Sequence, residues 1–224
     1  EEFRNITSKV ISNSTLGLRK FGVFLSGGID SSLISYELSQ HIDDLNTFTN
    51  KVEPNVIING EDHNSDADIA NKFASSLGFN HKEVKITPEI IVKEWDKANF
   101  TIEEPRYNWN LPMYYFTNKF LNKNNIIVTM AGDIGDEIFG GYQKYINMKK
   151  MINKPKTWRD FLKIWSKKFF APIKLNIKFN QNDLVDVLEK TLPEELWNPE
   201  DIANSAMALD CITTVSEDFF SRND

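Results

Sequence analysis

The chain is predicted to be an α/β protein: a three-layer α/β/α arrangement around a mainly parallel, twisted sheet, followed by a helical segment. Three observations predict it. Residues 21–25 (FGVFL) and 126–130 (IIVTM) are short continuous apolar runs, the pattern of parallel strands covered on both faces. Helical patterns separate the strand-like runs, and that alternation calls for right-handed crossovers and a parallel sheet. Finally, a Gly-rich motif follows directly after each of these two runs, which places both motifs at the carboxyl edge where open α/β sheets bind ligands.

Taken in order, residues 3–18 read as a helix leading into the first strand, and Ser31 to Leu38 as the helix after it. Residues 45–49 form a plausible second strand. Between Asp66 and Leu77, the apolar positions Ile69, Ala70, Phe73, Ala74 and Leu77 make a helical stripe, and Gly78 ends it. His81 to Ile86 reads as a third strand. Pro88 opens a helix towards Phe100, and Pro112 to Leu121 gives another before the 126–130 strand. The α/β core is expected over about 20–145, and a helical part over 146–224.

The texture changes after Tyr145. Residues 149–178 carry ten Lys or Arg against one acid, Asp160, while Trp158, Phe161, Leu162, Trp165 and Phe169 share one helical face. This stretch is read as an amphipathic helix that packs its aromatics on a core and solvates its lysines, in preference to a nucleic-acid or membrane-surface helix. From Gln181 the balance turns acidic and helical, with Pro193 and Pro199 marking turns.

A net charge of −6 gives no generic attraction to nucleic acid or anionic membrane. A polyanionic ligand would therefore be held by local amide donors and a divalent cation. The lone Cys211 cannot form an intrachain disulfide and is read as a small buried hydrophobe in a reducing compartment, with the cytoplasm as the default. No leader pattern opens the chain, and no apolar run approaches the roughly 18 residues a membrane span requires. The chain lacks an initial Met and ends in Ser221-Arg222-Asn223-Asp224 without helix-stopping chemistry, so it is read as part of a longer protein.

The first motif is Ser26-Gly27-Gly28-Ile29-Asp30-Ser31-Ser32. A glycine pair between strand and helix lets the backbone turn sharply and point its N–H groups inward as an anion nest. The following helix adds unpaired N–H groups and the positive end of its dipole. Ser26, Ser31 and Ser32 are candidate hydroxyl donors. Asp30 would repel phosphate alone and makes best sense as a Mg²⁺ ligand, since magnesium is held by one or two carboxylates plus phosphate oxygens and water. Neither a Walker A loop nor a G-x-G-x-x-G fingerprint is present.

The second motif is Gly132-Asp133-Ile134-Gly135-Asp136-Glu137-Ile138-Phe139-Gly140-Gly141-Tyr142. Three carboxylates within five residues repel one another unless a cation or bound donors compensate. Asp136 is the candidate second Mg²⁺ carboxylate opposite Asp30. Gly140-Gly141 points to a close backbone approach, and Tyr142 to a capping aromatic.

The first motif resembles the pyrophosphate loop of the ATP pyrophosphatases, which cleave ATP between the α and β phosphates. With the second, the chain resembles the synthetase domain of the glutamine-hydrolysing asparagine synthetases, whose G-[DE]-x-x-D-E-x-F-G-G-Y element is matched at every fixed position. The resemblance extends through Asp66–Ala70, Leu77-Gly78, His81-Lys82-Glu83, Glu103-Glu104-Pro105 and Leu111-Pro112, clear from about Val10 to Tyr145. It implies an adenine nucleotide alpha hydrolase-like fold. It also implies ATP and pyrophosphate contacts at Phe24, Leu25, Ser26, Gly27, Gly28, Asp30, Ser31, Ser32, Asn50, Ala131 and Gly132, with Mg²⁺ on Asp30 and Asp136. The implied reaction adenylates the side-chain carboxylate of aspartate, releases pyrophosphate, and forms asparagine with ammonia from glutamine; Asp133 is its implied catalytic acid.

Several features depart from the family. Nothing resembles its glutaminase domain, residues 219–224 resemble only the start of a further family segment, and the family's catalytic lysine lies beyond that point. Arg106-Tyr107-Asn108-Trp109 replaces its usual acidic, small-residue loop, which leaves the acceptor open. The resemblance admits a homodimer. Alternatives are a related amide ligase (a β-lactam synthetase or a peptide- or sugar-amidating enzyme), another pyrophosphate-loop enzyme, or a non-catalytic ATP-binding module.

Overall fold

Val23 and Leu25 are fully buried on one face of an inner strand, while Phe24 faces the other way. A computed structural model of the chain describes residues 1–15, 17, 20–58, 61, 62, 64–102, 110–167 and 180–213. It divides into two compact units, Glu1–Asp133 and Ile134–Asp224, and the division falls inside the second Gly-rich motif.

The first unit contains β1 (Phe21–Phe24), β2 (Asn46–Val52), β3 (Ile57–Ile58), β4 (Glu61–Asp62), β5 (Asn80–Ile86) and β6 (Val128–Met130). Its helices are α1 (Glu2–Ser14), α2 (Ile29–Ser39), α3 (Ser65–Ser76), α4 (Pro88–Thr101) and α5 (Leu111–Lys123). Four strands form a sheet in the order β5-β2-β1-β6, with every pair parallel. The chain runs outward from β1 through β2 to β5, then returns to place β6 on the other side of β1. That reversal is the topological switch point at which such sheets open a ligand crevice.

Alternation along β1 sends its side chains to two helical layers. On one face, α2 packs Ile34 and Leu38 with Val23, Leu45 and Ile11 of α1, and α3 packs Ala70 and Ala74 with Leu25. On the other face, α5 packs Phe120 and Leu121 with Phe48, Phe24 and Ile126, and α4 lies against α5. The predicted three-layer α/β/α arrangement and parallel sheet are therefore present.

Four details differ from the expectation. The first helix ends at Ser14, well before residue 18. The 126–130 run is not buried throughout: among the described residues β6 lies at the sheet edge beside β1, and Ile127 before it is 66% exposed. On α3 the buried face is Ala67, Ala70 and Ala74, whereas Ile69 and Leu77 are exposed. Alanines let this helix approach the sheet edge closely, with a consequence for the first motif. The β3–β4 pairing has two residues per strand, too few to leave a periodic signal.

The second unit contains α6 (Gly135–Phe139), α7 (Gln143–Lys149), α8 (Trp158–Trp165), α9 (Gln181–Thr191) and α10 (Ile202–Asp210). Trp158, Phe161, Leu162 and Trp165 are all buried with Tyr145, Val185, Ile202 and Leu209. The basic aromatic stretch is thus a core-packing helix over the described residues; Phe169 lies outside them. Side-chain caps start α8, α9 and α10, with Thr157, Asn180 and Asp201 accepting the N–H groups of Asp160, Asp183 and Asn204. Cys211 is half-buried, not fully buried as expected, because it lies just past the packed face of α10. Among the described residues no helix is long and apolar enough to cross a membrane.

Candidate functional site

The first motif leaves β1 and enters α2 through a loop closed by its own hydroxyls. The Gly28 N–H donates to Ser26 Oγ at 3.3 Å, Ser26 and Ser31 share a hydroxyl contact at 3.0 Å, and Ser31 Oγ donates to the Gly28 carbonyl at 3.2 Å. One proton per hydroxyl fixes the direction: Ser26 donates to Ser31. The Ser26 N–H also donates to Ser31 Oγ at 3.1 Å. Ser31 is buried, and its hydroxyl is engaged in holding the turn, leaving Ser26 and Ser32 as the less buried hydroxyls.

Two glycines are required by close approach. Gly27 has φ +87°, and a Cβ there would lie 2.4 Å from the Asp66 carbonyl oxygen and 3.3 Å from the Ala70 nitrogen. The first turn of α3 therefore presses directly on the loop, which its alanine face permits. A Cβ on Gly132, after β6, would lie 2.5 Å from the Ser31 nitrogen and 3.0 Å from the Asp30 Cβ. The segment leaving β6 thus crosses the amino end of α2. The first intrahelical hydrogen bond there is Ser32 N–H to Gly28 carbonyl, so the N–H groups of Ile29, Asp30 and Ser31 have no acceptor within the helix. They and the helix dipole make this end electropositive, the kind of terminus that suits an anion. The Asp30 carboxylate has no hydrogen bond or ion pair among the described residues.

The remaining predicted residues of this unit lie along the same carboxyl edge. Phe24 is half-buried in the α5-side cluster, while the fully buried Leu25 donates its N–H to the Phe48 carbonyl at 2.8 Å. Phe48 therefore points its peptide groups towards β1, and so does Asn50 two residues on. Because β1 pairs with β2 only as far as Phe48, the N–H and C=O of Asn50 face the edge beyond the strand. Ala131 is half-buried beside Gly132. Asp133 is exposed as a residue, yet partial burial of its carboxyl raises its pKa above the ordinary aspartate value.

In the second unit, Ile134 adopts φ +77°, a backbone conformation that is strained for a β-branched residue. It introduces α6, which carries Asp136 and the buried Glu137. Gly140 ends that helix at φ +73°. A Cβ on Gly141 would fall 1.8 Å from Asp136 Oδ1, so the close approach inferred for this glycine pair is to the motif's own carboxylate. Tyr142 packs against Tyr145 with ring centroids 6.0 Å apart and joins the helical core.

Sequence reasoning missed the buried polar centre of this unit. The Asp210 carboxylate is 1% exposed; it accepts from Tyr145 Oη at 2.7 Å and Trp165 Nε1 at 2.9 Å, and pairs with Lys144 Nζ at 2.6 Å. Burial first, and then Asp210, raise the Tyr145 hydroxyl far above its usual range. The available signal was an acid between Leu209 and Cys211 on an apolar helix.

Asp30 and Asp136, the predicted Mg²⁺ carboxylates, belong to the first and second unit respectively. No cluster of three or more His, Cys, Asp or Glu suited to a metal occurs among the described residues. The predicted Glu103-Glu104-Pro105 loop and the Arg106–Trp109 segment lie outside those residues.

The asparagine synthase family model matches residues 2–211. The chain belongs to the asparagine synthase family. It is 31% identical over 125 residues to asparagine synthetase [glutamine-hydrolyzing] 1 of Bacillus subtilis, a match covering 55% of this chain and 18% of that protein. It is 24% identical over 170 residues to a putative asparagine synthetase [glutamine-hydrolyzing] of Methanocaldococcus jannaschii, covering 73% of this chain and 29% of that protein. The family chain therefore spans less than a third of either relative. An NH3-dependent NAD synthetase from Campylobacter jejuni resembles it with a TM-score of 0.43 and 14% identity, over 93% of each chain.

Proposed function

We propose that this asparagine synthase-family chain carries the ATP-using site of an amide-forming ligase that activates the side-chain carboxylate of aspartate. One observation carries the reading: Gly27 lets the α3 backbone press on the loop before α2, and Gly132 brings the segment leaving β6 onto the amino end of α2, each at a point where a Cβ would clash with backbone. A loop that merely reverses the chain has no need of two such approaches around one strand-to-helix turn.

Residues of the first unit support an ATP ligand. The peptide groups of Asn50 face the edge where a base can sit, and the N–H groups opening α2 meet phosphate oxygens. Asp30 and Asp136 would hold Mg²⁺, completed by phosphate oxygens and water. When bound, the ion neutralises charge on the polyphosphate. In the proposed reaction, a carboxylate oxygen of aspartate bonds to the α-phosphorus of ATP and the bond to the β,γ-pyrophosphate breaks, giving β-aspartyl-AMP. Ammonia then attacks the acyl carbon, loses a proton, and expels AMP to leave asparagine.

The α2 amino end stabilises the departing pyrophosphate, an electrostatic role in which removing one preorganised group costs roughly 100- to 1,000-fold in rate. Asp133 orients the acceptor or takes the proton from attacking ammonia, for which a carboxyl with a raised pKa is better matched than an ordinary one. Ammonia is proposed to come from a glutaminase domain of the longer protein. The test is pyrophosphate release by the full-length protein with ATP and Mg²⁺, with and without aspartate. Aspartate-dependent release is expected, with asparagine formed once ammonia or glutamine is added. ATP binding without response to aspartate would overturn the acceptor.

A further inference from the structure

The proposed ATP site has a device behind its base edge that neither motif contains. Thr117, in the middle of α5, is completely buried, and its Oγ1 lies 2.8 Å from both the Met113 carbonyl oxygen and an oxygen assigned to the Asn50 side-chain amide. Asn50 is two residues beyond Phe48 on β2, and Thr117 is one turn before Leu121, which packs on Phe48. Strand and helix therefore meet twice, once through an apolar contact and once through this polar one at the carboxyl edge. A valine would fill the same space as Thr117, and a buried hydroxyl is costly unless hydrogen-bonded.

A threonine hydroxyl has one proton and cannot donate to both neighbours. Which end of an amide is oxygen is assigned from its hydrogen bonds. Turning the Asn50 amide so that its NH₂ faces Thr117 satisfies every group: Asn50 donates to Thr117, and Thr117 donates to the Met113 carbonyl. Either way, the contact fixes Asn50 relative to α5 at the position whose backbone N–H and C=O face the open edge beyond β1. A donor and an acceptor on one residue complement the adenine edge, with its ring-nitrogen acceptor and exocyclic amine donor. A 6-oxo purine presents the reverse pattern, which leaves both groups mispaired.

We infer that Thr117 is a positioning residue: by anchoring Asn50 it fixes the donor–acceptor pair that selects a 6-aminopurine nucleotide over a 6-oxopurine one. This rests on the proposed ATP site. The test is equilibrium binding of ATP and ITP, with Mg²⁺, to the full-length protein carrying wild-type Thr117, Thr117→Val or Thr117→Ser. The wild type is expected to prefer ATP. Thr117→Val should lose about tenfold of that preference, the worth of one buried polar contact, and Thr117→Ser should restore it. Asn50→Ala, at a half-buried position, should lose the preference independently of how well Thr117→Val folds.

Equal weakening of ATP and ITP binding in Thr117→Val would make the residue merely structural and overturn the inference. Wild-type protein that binds both nucleotides equally would overturn it too, while leaving the ligase reading standing. Wild-type protein that binds neither would overturn both.

Discussion

The two glycine pairs look alike in sequence and answer opposite demands. Gly27-Gly28, in the first unit, removes side chains so that the α3 backbone can press on the loop that leads into α2. Gly140-Gly141, in the second, makes room for the chain's own Asp136 carboxylate and for Met207. One pair lets a neighbouring helix approach a loop, and the other lets a segment fold back on itself. A glycine pair thus reports a close approach, and only the structure reports what approaches.

The sharpest way to break this contrast is Asp30→Asn. Pyrophosphate release should fall roughly 100- to 1,000-fold with the circular dichroism spectrum unchanged; a near-normal rate would remove the first motif from the phosphate site. Asp210→Ala should act on stability instead. Leaving the buried Tyr145 hydroxyl and Trp165 N–H without their shared acceptor should cost roughly 1–3 kcal/mol each in urea unfolding, with little added by Lys144, whose side chain is 39% exposed.

A smaller effect separates the glycines directly. Gly27→Ala meets backbone at 2.4 Å in a positive-φ conformation, whereas Gly140→Ala meets only the flexible end of Met207 at 3.3 Å. Thermal unfolding should show Gly27→Ala as the more destabilising, by about 1–2 kcal/mol beyond the cost of about 1 kcal/mol expected at Gly140. Equal costs would mean that α3 does not constrain the loop.

The smallest shift concerns Asp133. Its carboxyl pKa is raised by desolvation, so the folded state favours the protonated form. That contribution to stability is present below the ordinary value of 3.8 and is lost as pH rises through the raised value. At neutral pH, Asp133→Asn should therefore raise the Tm while lowering amide formation, and the stability gain should vanish in acid.

The same comparison shows what the sequence made legible. The parallel sheet and its edge motifs could be read because β1 is apolar throughout and glycines punctuate each strand end. The α8 face could be read because Trp158, Phe161, Leu162 and Trp165 repeat at helical spacing. The α3 stripe was misjudged because Ile69 and Leu77 look more like core than Ala67 does, yet only small side chains allow the contact with Gly27. Asp210 and Thr117 were missed for a related reason. Each is a buried polar residue whose partner lies 65 or 67 positions away, beyond the reach of local periodicity.

Product analysis of ATP turnover by the full-length protein tests the central claim most directly, because the cradle at α2 is assigned to pyrophosphate and not to a single phosphate. With aspartate and Mg²⁺ present, AMP and pyrophosphate should appear in equal amounts. ADP and inorganic phosphate would contradict the assignment of both motifs.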